Sequence, residues 1–505
     1  MLPSNNRLSS WNSQQTLTPD VADSTKLTAS SFASSPQFKA VKDQVDEVFP
    51  ADGPGVNLVV MNGSQLLGSY SVGYADIEKK EPSNINSRQH FGSVSKHFTA
   101  ACIINLANEK NPPLKLSDNI RDYIQPLPKF NFDGKEVEIT IEDLLRMRSG
   151  LPNMQALEFL NGMSDQDASS EQKLDLITSQ ESVHLSSSPG TQFHYCNTNY
   201  DLLAKIVEVA LKRANHKCKD LREYAEKKLL KPSGMNNTGF INPTKPIEEQ
   251  TIPGYELNDQ GEPTLITSRN TTWGPCGIIG TAEDMVKWNG NCPPDVFEAL
   301  SNLPDQSTAY NNFDYARGLS VGFFDNNNYK ISAHSGGIEG FITRYVKVDS
   351  LLNNRKSFSI FLSANCEKLP LPVFDNFVNN IVNTIAGKLI IPVSNEDPPH
   401  RYALSEGLSR EEAQKFSMDC AVDGWKTIAR LSSVQLPNGK WGIKFLPNSK
   451  ESEKGFTFVP EEGHPYSFRS LDPPTAQLIF NENGVIFSDL SQSVQEIMFK
   501  KFMNR

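Results

Sequence analysis

The chain has 505 residues, a formal net charge of −10 and a sequence pI of about 5.5, so its length predicts two or three domains. The acidic balance, without a basic run, argues against nucleic acid as a partner. No apolar run approaches the roughly 20 residues that cross a bilayer, and residues 1–35 lack an apolar signal segment, so we expect a cytoplasmic protein without a membrane span, with export by a non-classical route left open.

The folded part of the chain is expected to begin near residue 36. Residues 1–35 are rich in Ser, Thr, Asn and Gln with few aromatic residues, which predicts a disordered tail. Apolar residues recur at helical spacing over residues 36–49, which predicts an amphipathic helix. The β-rich runs 56–61 and 66–74 flank Asn62-Gly63, a strong signal for a β-hairpin.

The stretch that follows, from Phe91 to Lys96, predicts a nucleophile at the start of a helix. The ten residues 98–107 carry no formal charge, and a helix that is apolar on nearly every side is normally buried. Ser93 and Lys96 are three residues apart, so both side chains lie on one helix face, and Gly92 allows a sharp turn into the helix.

For this pair to share a proton, the Lys must be neutral part of the time, which burial favours by penalising the ammonium form. The Ser-x-x-Lys pattern is weak evidence on its own, because Ser170 and Lys173 repeat it in a polar, acidic segment. Ser93 as an ordinary N-cap, with Lys96 reaching solvent, is the alternative interpretation.

The rest of the chain up to residue 394 predicts a helical middle followed by strands. A capped helix at 140–147 and helices at 199–214 and 281–289 precede four strands and a final helix, at 319–324, 330–334, 341–348, 358–364 and 373–389. Early and late strands can pair only by meeting in one sheet. We therefore predict an α+β fold, in which an antiparallel sheet has a terminal helix pair on one face and an all-helical subdomain, with Ser93, on the other.

A change of character near residue 395 predicts a second domain. Asp397-Pro398-Pro399 is a plausible linker, and Asn438-Gly439 and Asn483-Gly484 are two further hairpin signals. The predicted organisation is a tail at 1–35, a main domain at 36–394 and a small, mostly β accessory domain at 395–505.

The cysteines and histidines give no sign of a metal or a cofactor. Seven scattered cysteines include no Cys-x-x-Cys pair, which predicts reduced thiols, and no His or Cys cluster has zinc-ligand spacing. We expect no metal and no cofactor.

Two further stretches place polar groups where a serine hydrolase requires them. Tyr195-Cys196-Asn197 follows Pro189-Gly190 in a loop, so its side chains can point into a cleft. His334-Ser335-Gly336-Gly337 ends a predicted strand, and its glycines allow a substrate to approach the backbone closely.

The order Ser-x-x-Lys, Tyr-x-Asn, then His-x-Gly resembles the penicillin-recognising serine hydrolases. This family contains class C β-lactamases, penicillin-binding proteins, D-aminopeptidases and β-lactamase-like esterases. Flanking text such as Ser149-Gly150-Leu151-Pro152 is also similar, and the resemblance covers about residues 36–389.

The resemblance implies an acyl-enzyme mechanism on a small-molecule, peptide or ester substrate. Ser93 would be the nucleophile, Lys96 and Tyr195 the general bases, and Asn197 would hold the carbonyl side of the substrate. The strand of His334, Gly336 and Gly337 would bind substrate, with the backbone N–H groups of Ser93 and Gly337 as oxyanion donors.

His334 stands where many β-lactamases have Lys, and an imidazole is mostly neutral at pH 7. It is therefore a poorer carboxylate anchor than an ammonium. This favours a peptidase, amidase or esterase over a true β-lactamase.

Blander interpretations stay open from the sequence. Tyr195 could be a packing residue, Asn197 a helix cap and His334 an ordinary strand residue.

The rival function is a catalytically inactive scaffold or binding protein on the same fold. The missing export signal favours this rival, because peptidoglycan and β-lactams are met outside the cytoplasm, whereas the chemically able residues in all three motifs argue against it. The substrate, the oligomeric state and the role of residues 395–505 do not follow from the sequence.

Overall fold

The computed structural model describes residues 29–151, 170–258, 261–266, 273–304, 313–352, 357–367, 369, 371–393, 410, 414, 418–422, 428–436, 438–447, 456–461, 464–470, 476–481, 484–489 and 494–501. Its α-helices are α1 (Ala29–Ala33), α2 (Pro36–Val48), α3 (Ser95–Ala107), α4 (Ile141–Leu145), α5 (Ser170–Thr178), α6 (Asn197–Arg213), α7 (Leu221–Ala225), α8 (Ala282–Asn291), α9 (Pro294–Leu300) and α10 (Leu371–Ala386). Short turns of other helix types lie at Gly92–Val94, Ile120–Asp122, Glu226–Leu230 and Ile247–Glu249.

The strands are numbered β1 to β25 in chain order. They are β1 (Val56–Asn62), β2 (Gln65–Val72), β3 (Tyr74–Asp76), β4 (Glu81–Pro82), β5 (Gln89–His90), β6 (Lys129–Phe132), β7 (Lys135–Glu136), β8 (Ser182–His184), β9 (Gly239–Phe240), β10 (Gly254–Leu257), β11 (Pro263–Ile266), β12 (Ile278–Gly280), β13 (Phe313–Tyr315), β14 (Ser320–Phe324), β15 (Tyr329–Ile338), β16 (Phe341–Ser350), β17 (Phe358–Ala364), β18 (Met418–Val422), β19 (Ile428–Gln435), β20 (Trp441–Pro447), β21 (Phe456–Glu461), β22 (His464–Ser470), β23 (Ala476–Asn481), β24 (Gly484–Asp489) and β25 (Val494–Lys501).

Early and late strands meet in one central sheet, as predicted. Seven strands of the described chain pair in the order β13-β14-β15-β16-β17-β1-β2, and every pairing in this sheet is antiparallel. The first hairpin turns at Asn62-Gly63, where Gly63 has a φ of +56°. The pairing of β1 with β17 aligns Val56 with Ala364 and joins the early strands to the late strands of the sheet.

The two faces of this sheet carry two separate cores. Side chains of successive strand residues point to opposite faces, so Val56, Leu58 and Val60 of β1 pack in the core that holds α1, α2 and α10. Val59 and Met61 belong to the other core, which contains α3, α6 and α8. The predicted α+β arrangement is confirmed: terminal helices cover one face, and the helical middle covers the other.

Helix α3 is buried along most of its length, as its uncharged sequence predicts. All ten residues from Ser95 to Ile104 are buried. The predicted caps are also present, because Thr140 forms a capping box with Asp143 at α4 and Thr281 accepts the Asp284 N–H at α8.

The predicted boundary of the N-terminal tail at residue 35 is wrong. Helix α1 begins at Ala29, and the Phe32 side chain is 2% exposed, with its ring centroid 5.3 Å from that of Phe38. Ser35 then caps α2 by accepting the Phe38 N–H. One aromatic residue within a polar segment supplies the contact that average composition overlooks. The rest of the predicted tail, residues 1–28, lies outside the described residues.

The C-terminal region contains a closed β-barrel. Strands β18 to β25 pair antiparallel with their neighbours, and β25 returns to β18. The hairpin predicted at Asn438-Gly439 joins β19 to β20, and Gly439 has a φ of +81°. Asn483, at the second predicted hairpin, lies outside the described residues, but β23 and β24 pair on either side of it.

Within the described residues, no helix is long and apolar enough to cross a bilayer. The described cysteine side chains are buried and belong to no disulfide within the described residues; they are Cys102, Cys196, Cys218, Cys276, Cys292 and Cys366.

Candidate active site

Ser93 lies in a tight turn that leads into α3. The turn spans Gly92–Val94, and Gly92 has a φ of +51°, a region that residues with a side chain rarely adopt. On one side, the Phe91 N–H donates a hydrogen bond to the Ile278 carbonyl of β12 at 3.0 Å. The predicted glycine turn is therefore present and is tied to a neighbouring strand.

Lys96 points back from the first turn of α3 to Ser93. Its Nζ donates to Ser93 Oγ at 2.8 Å and to the Pro275 carbonyl at 3.2 Å, and the side chain is fully buried. The N-cap residue of α3 is Val94. The alternative interpretation, in which Ser93 caps the helix and Lys96 reaches solvent, is wrong.

The segment from Gly274 to Ile278, which leads into β12, holds the start of α3 in place. The Ile278 N–H donates to Ser95 Oγ at 2.9 Å, and Thr99 Oγ1 donates to the Gly274 carbonyl at 2.7 Å. The same segment brings Cys276 Sγ to 3.9 Å from Ser93 Oγ. The sequence analysis did not predict these contacts, because no local spacing connects the segment to Ser93.

The loop that carries Tyr195 is anchored on Met147, which follows the C-cap residue of α4. The His194 N–H donates to the Met147 carbonyl at 2.8 Å, and the Cys196 N–H contacts Met147 Sδ at 3.3 Å. The Tyr195 ring is thereby brought to Lys96, whose Nζ lies 4.9 Å from the ring centroid. Tyr195 and Lys96 are in one site.

Asn197 is the first residue of α6 and is buried. The N-cap position of this helix belongs to Cys196, so the alternative in which Asn197 caps the helix does not hold. The turn that carries Tyr195 continues directly into the helix, which places Asn197 two residues beyond the ring that contacts Lys96.

His334 is buried in β15, one residue beyond the part of the strand that pairs with β14. It is 7% exposed, its Nδ1 lies 2.6 Å from the Ser335 carbonyl oxygen, and its Nε2 lies 3.1 Å from the Tyr315 hydroxyl. Burial, followed by the positive charge of Lys96, lowers the pKa of the imidazole to about 3, and Arg344 acts in the same direction. The ring is therefore neutral at pH 7.

The end of β15 lies directly against the nucleophile turn. Thr343 Oγ1, in the neighbouring strand, donates to the Phe91 carbonyl at 2.7 Å. A Cβ atom added to Gly336 would stand 2.1 Å from the Phe91 carbonyl oxygen and 3.0 Å from the Ser93 nitrogen. Only a glycine permits this approach, so the backbone of Gly336 and Gly337 reaches Ser93.

The structure thus brings Ser93, Lys96, Tyr195, His334 and the glycines of β15 together in one site. Tyr315 also belongs to this group, although the sequence analysis missed it. Tyr315 lies in the three-residue strand β13, and only the pairing of β13 with β14 and of β14 with β15 brings it to His334.

Comparison with known proteins agrees with this arrangement. Residues 43–349, more than half of the chain, match the family model described as Beta-lactamase. The chain is 27% identical over 362 residues to Protein flp of Staphylococcus aureus, which covers 68% of this chain and 67% of that protein. It is also 27% identical over 297 residues to a D-aminopeptidase of Brucella anthropi, over 57% of this chain and 52% of the relative.

A solved structure extends the likeness beyond the family match. The octameric penicillin-binding protein homologue from Pyrococcus abyssi superposes with a TM-score of 0.56 at 18% identity, covering 92% of this chain and 99% of that one. At this level of identity the likeness concerns the fold alone. The family resemblance predicted from the three motifs is confirmed.

Proposed function

Because this chain belongs to the β-lactamase family, we propose that it is a serine hydrolase that cleaves an amide or ester bond through an acyl-enzyme on Ser93. One observation carries the proposal: the Nζ of a fully buried Lys96 lies 2.8 Å from Ser93 Oγ. A nucleophile and a base within hydrogen-bond reach are the requirement for an activated hydroxyl.

In the acylation step, Ser93 Oγ forms a bond to the acyl carbonyl carbon while its hydroxyl proton passes to the Lys96 amine. The bond to the leaving amine or alkoxide then breaks, and the leaving group takes the proton by way of Lys96 and Tyr195. A water molecule repeats the sequence to release the acyl group as an acid, and Ser93 recovers its proton. General bases of this kind contribute typically about 100- to 10,000-fold to the rate.

The oxyanion that forms on the carbonyl needs donors from the backbone. The N–H groups of Ser93, at the start of α3, and of Gly337, on β15, are the pair we assign to it, because these two backbone segments are in contact. One such donor is worth about 2.7 to 4 kcal/mol of barrier. We assign Asn197, at the start of α6, to the carbonyl side of the bound substrate.

The state of His334 supports substrates that lack a carboxylate next to the scissile bond. A neutral imidazole whose two nitrogens both have partners offers neither a positive charge nor a free N–H to a carboxylate. We therefore favour a peptidase, amidase or esterase over a true β-lactamase, and the D-aminopeptidase relative is in keeping with this choice.

A covalent label tests the function directly. A fluorophosphonate probe is expected to label the wild-type chain once and to leave Ser93→Ala unlabelled. Ser170→Ala is the matched control, because Ser170 begins the second Ser-x-x-Lys pattern and should keep full labelling. Labelling of Ser93→Ala at the wild-type level, or no labelling of any serine, would refute the proposal and favour a non-catalytic scaffold.

A substrate panel then identifies the bond. Short-chain p-nitrophenyl esters, D-amino-acid anilides and nitrocefin present an ester, an amide without a carboxylate, and a β-lactam with one. We expect turnover of the ester or the anilide to exceed that of nitrocefin. Preferential turnover of nitrocefin would contradict the role given to His334.

A further inference from the structure

The contacts of His334 determine where its proton lies. A carbonyl oxygen can only accept a hydrogen bond, so the 2.6 Å contact with the Ser335 carbonyl requires the proton on Nδ1. In a neutral ring, Nε2 then carries a lone pair. The Tyr315 hydroxyl, 3.1 Å away, must donate its proton to Nε2.

Tyr315 is itself held on several sides. It is buried, its ring stacks on Phe193 with centroids 5.5 Å apart, and it meets the Tyr195 and His334 rings edge to face at 6.3 and 5.8 Å. It therefore touches both the proposed proton relay and the imidazole that borders the cleft.

We propose that Tyr315 is a positioning residue that acts through His334 and Tyr195: its hydroxyl occupies Nε2 of the neutral imidazole, whose proton the Ser335 carbonyl holds on Nδ1, and its ring supports the Tyr195 ring. The inference rests on the proposed hydrolase function for its kinetic consequences, but the state of the imidazole is measurable without any turnover. We assign Tyr315 no contact with the reacting atoms.

The charges around His334 make this control necessary. Lys96, from α3, is the cation beside the ring, whereas Arg344 of β16 pairs with Asp375 on the opposite face of the sheet and adds the smallest effect. The other titratable neighbours are Tyr195, Tyr315 and a second buried histidine, His97. A second positive charge beside Lys96 would oppose transfer of the Ser93 proton to that amine. A hydroxyl that donates to Nε2 disfavours protonation of that nitrogen.

NMR of ¹⁵N-histidine-labelled protein tests the proposal on the wild-type chain. The His334 signals are assigned by their loss in His334→Gln. We expect Nε2 to be unprotonated and Nδ1 protonated, unchanged between pH 8 and pH 5. A ring with its proton on Nε2, or one that titrates within this range, would overturn the proposal whether or not any variant folds.

The variant Tyr315→Phe removes the donor and keeps the ring. The neutral imidazole then loses the hydrogen bond at Nε2, while the Ser335 carbonyl still accepts from Nδ1. We therefore expect a shifted Nε2 resonance, titration at higher pH, an acid limb of kcat/KM displaced to higher pH, and a rate about 10-fold lower. Tyr224→Phe is the control, because its buried hydroxyl bonds Asn105 and Glu109 away from the cleft, and it should retain the wild-type pH profile.

Two results separate this inference from the proposed function. Wild-type histidine signals and an unchanged pH profile in Tyr315→Phe would mean that Tyr315 only packs, which overturns the inference. The predicted tautomer in a chain whose Ser93 is never acylated would refute the function and support the assignment of Tyr315 to the imidazole.

Discussion

Lys96 is held beside Ser93 by backbone geometry and by its own burial, so its removal leaves the hydroxyl without a base. We expect Lys96→Ala to lower kcat/KM by at least about 100-fold, measured on whichever ester or anilide is turned over. Lys330→Ala is a matched control: Lys330 is also partly buried, on the same strand as His334, but its Nζ donates to Ser301 Oγ at 3.0 Å. Near-normal turnover in Lys96→Ala would remove the proposed mechanism.

The phenol of Tyr195 has the role of proton relay, and that role requires its hydroxyl. Tyr195→Phe keeps the ring that contacts Lys96 and is expected to reduce turnover by at least about 100-fold with little change in thermal stability. A variant that hydrolyses substrate within a few-fold of wild type would show that Tyr195 only packs.

At the level of single residues, the sequence predicts a contact where the geometry is local. Ser93 and Lys96 are three residues apart at a helix start, so one turn of backbone brings them together. The contact between Tyr315 and His334 depends on the alignment of three strands, and that of Lys96 with the Pro275 carbonyl crosses 179 positions. No spacing pattern can predict such contacts.

The end of β15 gives the sharpest prediction about an element. Gly336→Ala places a methyl group 2.1 Å from the Phe91 carbonyl oxygen, and the backbone must move, at a cost of about 1 to 3 kcal/mol or more. We expect lower stability and a loss of activity of at least about 10-fold, because the strand would shift from Ser93.

Gly337→Ala is the matched control for this strand. The nearest atom to its added Cβ is the flexible Glu367 Oε1, at 3.0 Å, and the N–H donor of residue 337 is retained. Unfolding curves and kcat should therefore change much less than in Gly336→Ala. Equal damage in both variants would mean that the contact with the nucleophile turn is unimportant.

Helix α1 is a second element whose contribution can be measured. Phe32→Ala removes a ring packed on Phe38 in the core of the terminal helices and should lower the free energy of unfolding by about 3 kcal/mol. Urea unfolding measures this loss, and activity of the folded fraction should be unchanged. No loss of stability would indicate that α1 contributes nothing to the fold.

The elements were predictable in proportion to the strength of their local signals. Asn62-Gly63, the Thr140 capping box and the uncharged run of α3 each specify a structure within a few residues. The five-residue helix α1 and the three-residue strand β13 have too few residues to show a period, and both form because the surrounding structure accepts one large side chain from each.

Three buried histidines make the stability of the whole molecule depend on pH. Burial lowers the pKa of His90 to about 4, that of His334 to about 3, and that of His97 well below 6.5. The unfolded chain binds these protons near pH 6.5, so stability is complete above that pH and falls as the pH decreases below it. Each histidine costs about 2 kcal/mol at pH 5.

Chemical unfolding at pH 7.5 and pH 5 measures this dependence. His97 stacks on Phe98 and Trp288, and neither of its ring nitrogens has a hydrogen-bond partner within the described structure. His97→Leu should therefore remove about 2 kcal/mol of the acid-dependent loss. Equal slopes against pH for the variant and the wild type would contradict the prediction.

The pairing of β1 with β17 also determines when the central sheet can be completed during synthesis on the ribosome. The Gly55 N–H donates to Asn365 Oδ1 at 2.6 Å across 310 positions, beside the pairing of Val56 with Ala364. At about 5 to 20 residues per second, the first hairpin emerges roughly 15 to 60 seconds before its partner strand is synthesised. During that interval the edge of β1 that pairs with β17 has no partner strand, and an unpaired apolar edge can pair with other chains.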